Sequence, residues 1–159
     1  MSHNLKEMCK SLRLAYVADI YEKVPFEEPS QYLEALFQQE FELREAAKGE
    51  RLIKKAKFMN NKELEDFQWK SQIKFPPQLD QKTLMSLYFI PRKENVILTR
   101  SPGTGKTHIA IGLGREACRK GYEVRFYRVA DLVEILEKAW KEGKLQSIRN
   151  RFKKVDMII

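Results

Sequence analysis

Apolar positions recur along this chain mostly at helical spacing. Leu5, Met8, Cys9 and Leu12 fall three and four residues apart after Asn4, which predicts a short helix capped by that asparagine. Tyr16, Val17, Ile20 and Tyr21 predict a second helix from Leu14 to Val24, ended by Pro25. From Ser30, read as an N-cap, Leu33, Leu36, Phe37 and Phe41 form one apolar stripe of a long helix, while Glu34, Gln38, Glu42 and Glu45 lie mostly elsewhere on its surface. Gly49 is expected to interrupt or kink that helix. Leu64, Phe67, Trp69, Ile73 and Phe75 follow without a clean period and read as a linker that packs through its aromatic rings. Asp80 can cap a further helix from Gln81 to about Phe89, with Leu84, Leu87 and Tyr88 inward.

A few short runs break the helical rule. Val96, Ile97 and Leu98 are consecutive and rich in β-branched residues, as expected of a buried parallel strand. Val124, Phe126, Tyr127 and Val129 predict a second strand, and Val155 to Ile159 reads as the beginning of a third. Between the first two lies a helix with Ile109, Leu113, Ala117 and Cys118 as its inner stripe and Gly121 as its C-terminal glycine. Past the second strand Asp131 is placed to cap a helix whose apolar face is Leu132, Ile135, Leu136, Ala139 and Trp140, and Gly143 breaks it. Leu145, Ile148 and Phe152 mark one more short helix. Helices alone before residue 94 and strand–helix alternation after it predict an α/β core with a parallel sheet flanked by helices. The predicted domains are a small all-helical N-terminal domain over 1–60, a linker and lead-in helix over 61–93, and the core over 94–159.

The chemistry gathers at the turn after the first apolar run. Ser101, Pro102, Gly103, Thr104, Gly105, Lys106, Thr107 and His108 are the candidate nucleotide-binding residues. Glycines let backbone N–H groups wrap a phosphate, and the following helix N-terminus adds unpaired donors and partial positive charge. Lys106 is placed to reach the β- and γ-phosphates of ATP, and the Thr107 hydroxyl to ligate Mg²⁺. The His108 side chain reads as packing or capping. The full P-loop motif begins with a glycine five residues before Gly105, and Arg100 occupies that position. Replacing it with glycine is expected to tighten ATP binding.

Composition narrows the partners. The 159 residues carry a formal net charge of +8, which favours an anionic partner, nucleic acid first. The candidate phosphate contacts are Lys54, Lys55 and Lys57 at the end of the long helix and Arg149, Arg151, Lys153 and Lys154 near the C-terminus. The bland alternative is that these are solvated helix ends. Cys9 and Cys118 have no metal-ligand spacing and read as free thiols in a reducing compartment. No apolar run approaches the length of a membrane span, so the expected location is the cytoplasm.

Residues 94 to 133 carry a resemblance. Glu94, Asn95 and Val96, the run Thr104 to His108, Glu116 to Cys118, Gly121 with Tyr122, and Ala130 to Leu132 resemble the IstB-type transposition helper ATPases. These are relatives of DnaC-type helicase loaders in the AAA+ group. Leu64 to Phe67 and Leu79 with Asp80 are similar to the family's approach to its core. The resemblance implies ATP and Mg²⁺ as cofactors, contact with the DNA backbone, self-assembly, and a transposase subunit as partner. It also implies a P-loop NTPase core of the AAA+ type whose parallel sheet is incomplete over these residues, and an Asp-Glu pair beyond Asp156, a sensor and an arginine finger, none of which falls within them. The chain therefore reads as an N-terminal fragment, a truncated copy unable to hydrolyse ATP. A DnaC-like helicase loader and a non-enzymatic DNA- or protein-binding fragment with a vestigial loop are the alternatives. A small-molecule kinase is disfavoured by the long helical stretch ahead of the loop.

Overall fold

The computed structural model describes every residue except 1, 2, 27, 70–72 and 100. Met1–Lys48 and Gly49–Ile159 form two compact units. No helix among the described residues is long and apolar enough to cross a membrane.

The first unit is built from α1 (His3–Ser11), α2 (Val17–Ile20) and the N-terminal part of α3 (Pro29–Ala56). Helix α3 starts at Pro29, ahead of the expected Ser30 cap, because proline suits the first helical position, where no N–H partner is needed. Cys9, Val17, Ile20, Val24 and Leu36 are the buried core of this unit. The helix expected from Leu14 to Val24 is one turn only. Its start is held by Glu40, whose carboxylate accepts the N–H groups of Ala15, Tyr16 and Val17 at 2.7, 2.6 and 2.8 Å. The expected stripe on α3 is corrected by the same residue. Leu36 and Glu40 face inward, one turn apart, and Leu33, Phe37 and Phe41 are exposed. A carboxylate that satisfies three backbone donors sets the inner face of α3 more strongly than the phenylalanines do.

The second unit takes the last turns of α3, α4 (Gln81–Met85), α5 (Lys106–Arg119), β1 (Val124–Arg125), α6 (Val129–Lys141), α7 (Leu145–Phe152) and β2 (Met157–Ile158). The strands β1 and β2 pair in parallel, Val124 opposite Met157 and Arg125 opposite Ile158. Helix α5 is the centre of the core. Ile109, Leu113, Ala117 and Cys118 are buried as its spacing predicts, against Ile53 and Ala56 of α3, Leu64, Leu84 and Leu87. Gly121 follows with φ of 87°, and the Tyr122 N–H closes the helix end on the Ala117 carbonyl at 3.0 Å. Asp80 caps α4 as expected, accepting the Thr83 N–H at 2.6 Å.

Several expectations fail for identifiable reasons. Helix α3 runs unbroken through Gly49, and a Cβ there would stand 3.1 Å from the Arg119 Cα of α5. The glycine serves close packing and does not end the helix. Residues 96–98 are extended but belong to no sheet, and Ile97 is 83% exposed while Val96 and Leu98 pack on the core. A strand needs a hydrogen-bonded neighbour, and none of the described residues pairs with this one. The second strand ends at Arg125, and Val129 opens α6. Arg128 is the N-cap of α6, and Asp131 sits in its first turn, paired with the Arg128 guanidinium at 2.7 and 2.8 Å. On α6 Ala139 is buried with Leu132 and Ile135 partly so, whereas Leu136 and Trp140 face outward.

Candidate functional site

The turn at residues 101–105 leads directly into α5. Gly103 and Gly105 take φ values of 79° and 89°, a left-handed backbone that side chains resist. Gly105 is the N-cap of α5 and offers no side chain to the helix's first N–H groups. Those groups therefore stay available to an anion at the helix end. Two bonds shape the loop from within. The Thr104 hydroxyl and the Lys106 ammonium each donate to the Ser101 carbonyl at 2.9 Å. The Lys106 side chain thus folds back over the turn, where a phosphate held by the N–H groups would meet it. Thr107 is exposed in the first helical turn. Arg100 lies outside the described residues.

Sequence reasoning missed what holds this loop from behind. The segment 61–67 lies along α5 and is fastened to it through Asn61, Glu63, Leu64 and Phe67. Glu63 takes Arg115 Nε at 2.7 Å on one carboxylate oxygen. The other oxygen receives no well-aligned hydrogen bond but lies 2.8 Å from Arg119 Nη2, a contact of charge. The Glu63 carbonyl meets His108 Nε2 at 2.7 Å. Leu64 sits where a Cβ on Gly112 would come within 2.8 Å, and the Phe67 ring sits 2.5 Å from where a Cβ on Gly105 would be. Burial raises the Glu63 carboxyl, but Arg115 and Arg119 outweigh it and hold the group below the usual carboxylate range. Phe67 also packs edge-on against His108 and Trp69, with centroids 5.2 and 5.0 Å away. His108 is therefore a packing residue, as its position after Thr107 suggested. The signals were present as Gly105 and Gly112, which mark one face of α5 for close approach, and as the aromatic residues of the linker.

The buried Cys118 carries no chemistry. Desolvation pushes its thiol up to about 11, against the lowering effect of a backbone hydrogen bond and nearby arginines. It is a small core residue.

Of the basic residues, Lys55, Lys57 and Arg151 line one cleft, whereas Lys54, Arg149, Lys153 and Lys154 are exposed and do not line it.

A glycine turn with left-handed glycines, opening a buried helix at Gly-Lys-Thr, defines a P-loop nucleotide-binding protein. The family model for IstB-like ATP binding protein matches residues 7–159, and the chain belongs to that family. It is 33% identical over 168 aligned positions to a protein described as an ATP-binding protein of insertion sequence IS5376 from Geobacillus stearothermophilus, covering 100% of this chain and 65% of the relative. A corresponding IS21 protein from Pseudomonas aeruginosa is 38% identical over 119 positions, covering 73% of this chain and 43% of the relative. The chromosomal replication initiator protein DnaA of Aquifex aeolicus is 33% identical over 64 positions, covering 40% of this chain and 16% of the relative. The chain thus spans less than two thirds of the length of these relatives.

Proposed function

We propose that this protein is an ATP-binding helper of insertion-sequence transposition of the IS21 type. In this reading it acts on DNA together with a transposase subunit and further copies of itself. The observation that carries the reading is the loop Ser101–Thr107, with Gly105 in the left-handed region and Lys106 turned back over it. The family membership and the descriptions of the relatives support the biological setting. Residues 1–60 are then the helical N-terminal domain, 61–93 the lead-in and 94–159 the ATPase core. ATP is held by residues 101–107, with Mg²⁺ on Thr107, and His108 supports the loop from behind through Glu63 and Phe67. The limited similarity to DnaA supports a second reading, a replication-type loader built on the same core.

The residues 1–159 contain the nucleotide-cradling half of the site, and the Asp-Glu pair expected from the resemblance is not among them. The polypeptide of these residues is expected to bind ATP without turning it over, since loss of such charge stabilisation costs several powers of ten in rate. Calorimetric titration with ATP, with and without Mg²⁺, tests this. Lys106→Ala should weaken binding by at least about tenfold, roughly 1.4 kcal/mol. Equal affinity in Lys106→Ala would overturn the assignment of the loop, and turnover that depends on Lys106 would overturn the expected inactivity.

A further inference from the structure

Three basic segments, spread over nearly a hundred residues of sequence, meet in one cleft of the second unit. Lys55 and Lys57 come from the end of α3, Arg125 and Arg128 from β1 and the turn after it, and Arg151 from α7. The cleft has a volume of about 550 Å³. We infer that this cleft is where the protein grips the phosphodiester backbone of duplex DNA, an assignment that rests on the DNA-contacting reading above and gives it a place.

Four observations carry the inference. The first is the charge balance. The five cations face two carboxylates, Glu123 and Asp131. Glu123 pairs with both Lys55 and Arg125, at 2.7 and 2.8 Å, and Asp131 pairs with Arg128. Among the described residues no carboxylate pairs with Lys57 or Arg151. The second is backbone conformation. Lys57 stands in the left-handed region with φ of 60°, just past the last turn of α3. Glycine or asparagine is the usual choice at such a position; Arg13, Leu87 and Lys93 are further exceptions, and of these four only Lys57 lines the cleft. The third is rigidity. The Phe126 N–H donates to the Ala56 carbonyl at 3.0 Å and the Tyr127 N–H to the Ile159 carbonyl at 2.7 Å, so the walls are tied through the main chain. A main chain fixed in this way loses little freedom when an anion binds.

The fourth observation selects the ligand. Phe126 and Tyr127 line the cleft, but each ring is already packed, on Phe58 at 6.2 Å and on Phe152 at 5.8 Å. They are half-buried and not free platforms for splayed bases, which single-strand binders need. A cleft of this size admits one or two phosphates of a backbone running across it, without reading bases. Backbone contact of this kind is tolerant of sequence and strongly dependent on salt.

The experiment is fluorescence anisotropy with a labelled duplex of arbitrary sequence, titrated with residues 1–159 at several salt concentrations. The double variant Lys57→Glu/Arg151→Glu should bind at least about tenfold more weakly and lower the slope of log affinity against log salt by nearly two, as expected for two lost phosphate contacts. Lys82→Glu/Lys138→Glu, an equal charge change at exposed positions outside the cleft, should change affinity by much less. Thermal unfolding and ATP titration of both double variants check that each is folded. If the Glu variant does not fold, Lys57→Gln/Arg151→Gln makes the same comparison and should show most of the same loss. Unchanged binding by the cleft variant while the parent binds duplex would overturn the cleft and leave the DNA reading standing. Equal losses in both double variants would show a general charge effect and also overturn the cleft. A parent that binds no duplex at any salt would overturn both. Tighter binding of single strands than of duplex, lost in the cleft variant, would overturn the choice of ligand.

Discussion

At the scale of residues, the loop depends on what lies behind it as much as on its own motif. Gly105 combines a left-handed backbone with the near contact of Phe67. Gly105→Ala meets both obstacles, so it should lower stability by about 1–3 kcal/mol and weaken ATP binding by roughly tenfold. Adding Phe67→Ala removes the overlap but not the backbone preference, and should restore only part of the loss. Thermal unfolding and calorimetry on the single and double variants check this. Full recovery would mean that Phe67 alone dictates glycine at 105. The motif itself was plain in the sequence, because a glycine turn running into Gly-Lys-Thr at a helix start is set by adjacent residues. Glu63 was not legible, since its role comes from Arg115, Arg119 and His108, all more than forty residues away.

At the scale of elements, periodicity found the helices but not always their inner faces. On α5 the whole predicted apolar stripe is buried, and so are Ile111, Gly112, Gly114 and Arg115, because the helix is covered on most sides. On α6 the predicted stripe is only partly buried. Both of its apolar faces have helical spacing, and only packing decides that Ala139 goes in and Trp140, 69% exposed, stays out. Trp140→Ser should therefore change stability by less than about 0.5 kcal/mol, as for other surface positions. Ala139→Leu should cost about 1–3 kcal/mol by overpacking. Denaturant titrations of the two variants decide this, and a large loss for Trp140→Ser would show that the tryptophan is covered in the folded protein.

At the scale of the whole molecule, the acid limb of stability has a defined source. Burial raises the Glu40 carboxyl, but Arg44 and the N–H groups of Tyr16, Val17 and Ala15 together hold it below the usual carboxylate range. A carboxylate with a lowered pKa in the fold stabilises above its unfolded value, and that contribution is lost as pH falls through the folded value. The thermal midpoint should fall as pH drops below the ordinary carboxylate range. Glu40→Gln should be less stable at neutral pH, by about 1.5–3 kcal/mol for hydrogen bonds to a charged group. It should also show a shallower decline in acid. An unchanged acid limb in Glu40→Gln would place the main acid-sensitive group elsewhere, with Glu63 next in line by the same sign.

The sequence by itself determined the loop, the helix that follows it, the buried stripe of α5, the Asp80 cap and the glycine stop after Cys118. Each is specified within a few residues, by backbone conformation or by helical period. Tertiary structure alone decided that Leu36 and Glu40 face inward on α3, that Gly49 is a packing site, and that residues 96–98 remain outside a sheet. It also decided that Lys57 and Arg151 share one cleft. In each of these cases the deciding partner is distant in the chain or is a hydrogen-bonding neighbour that spacing does not encode. A residue's local pattern says which faces are possible, and the competition for buried hydrogen bonds and close contacts selects among them.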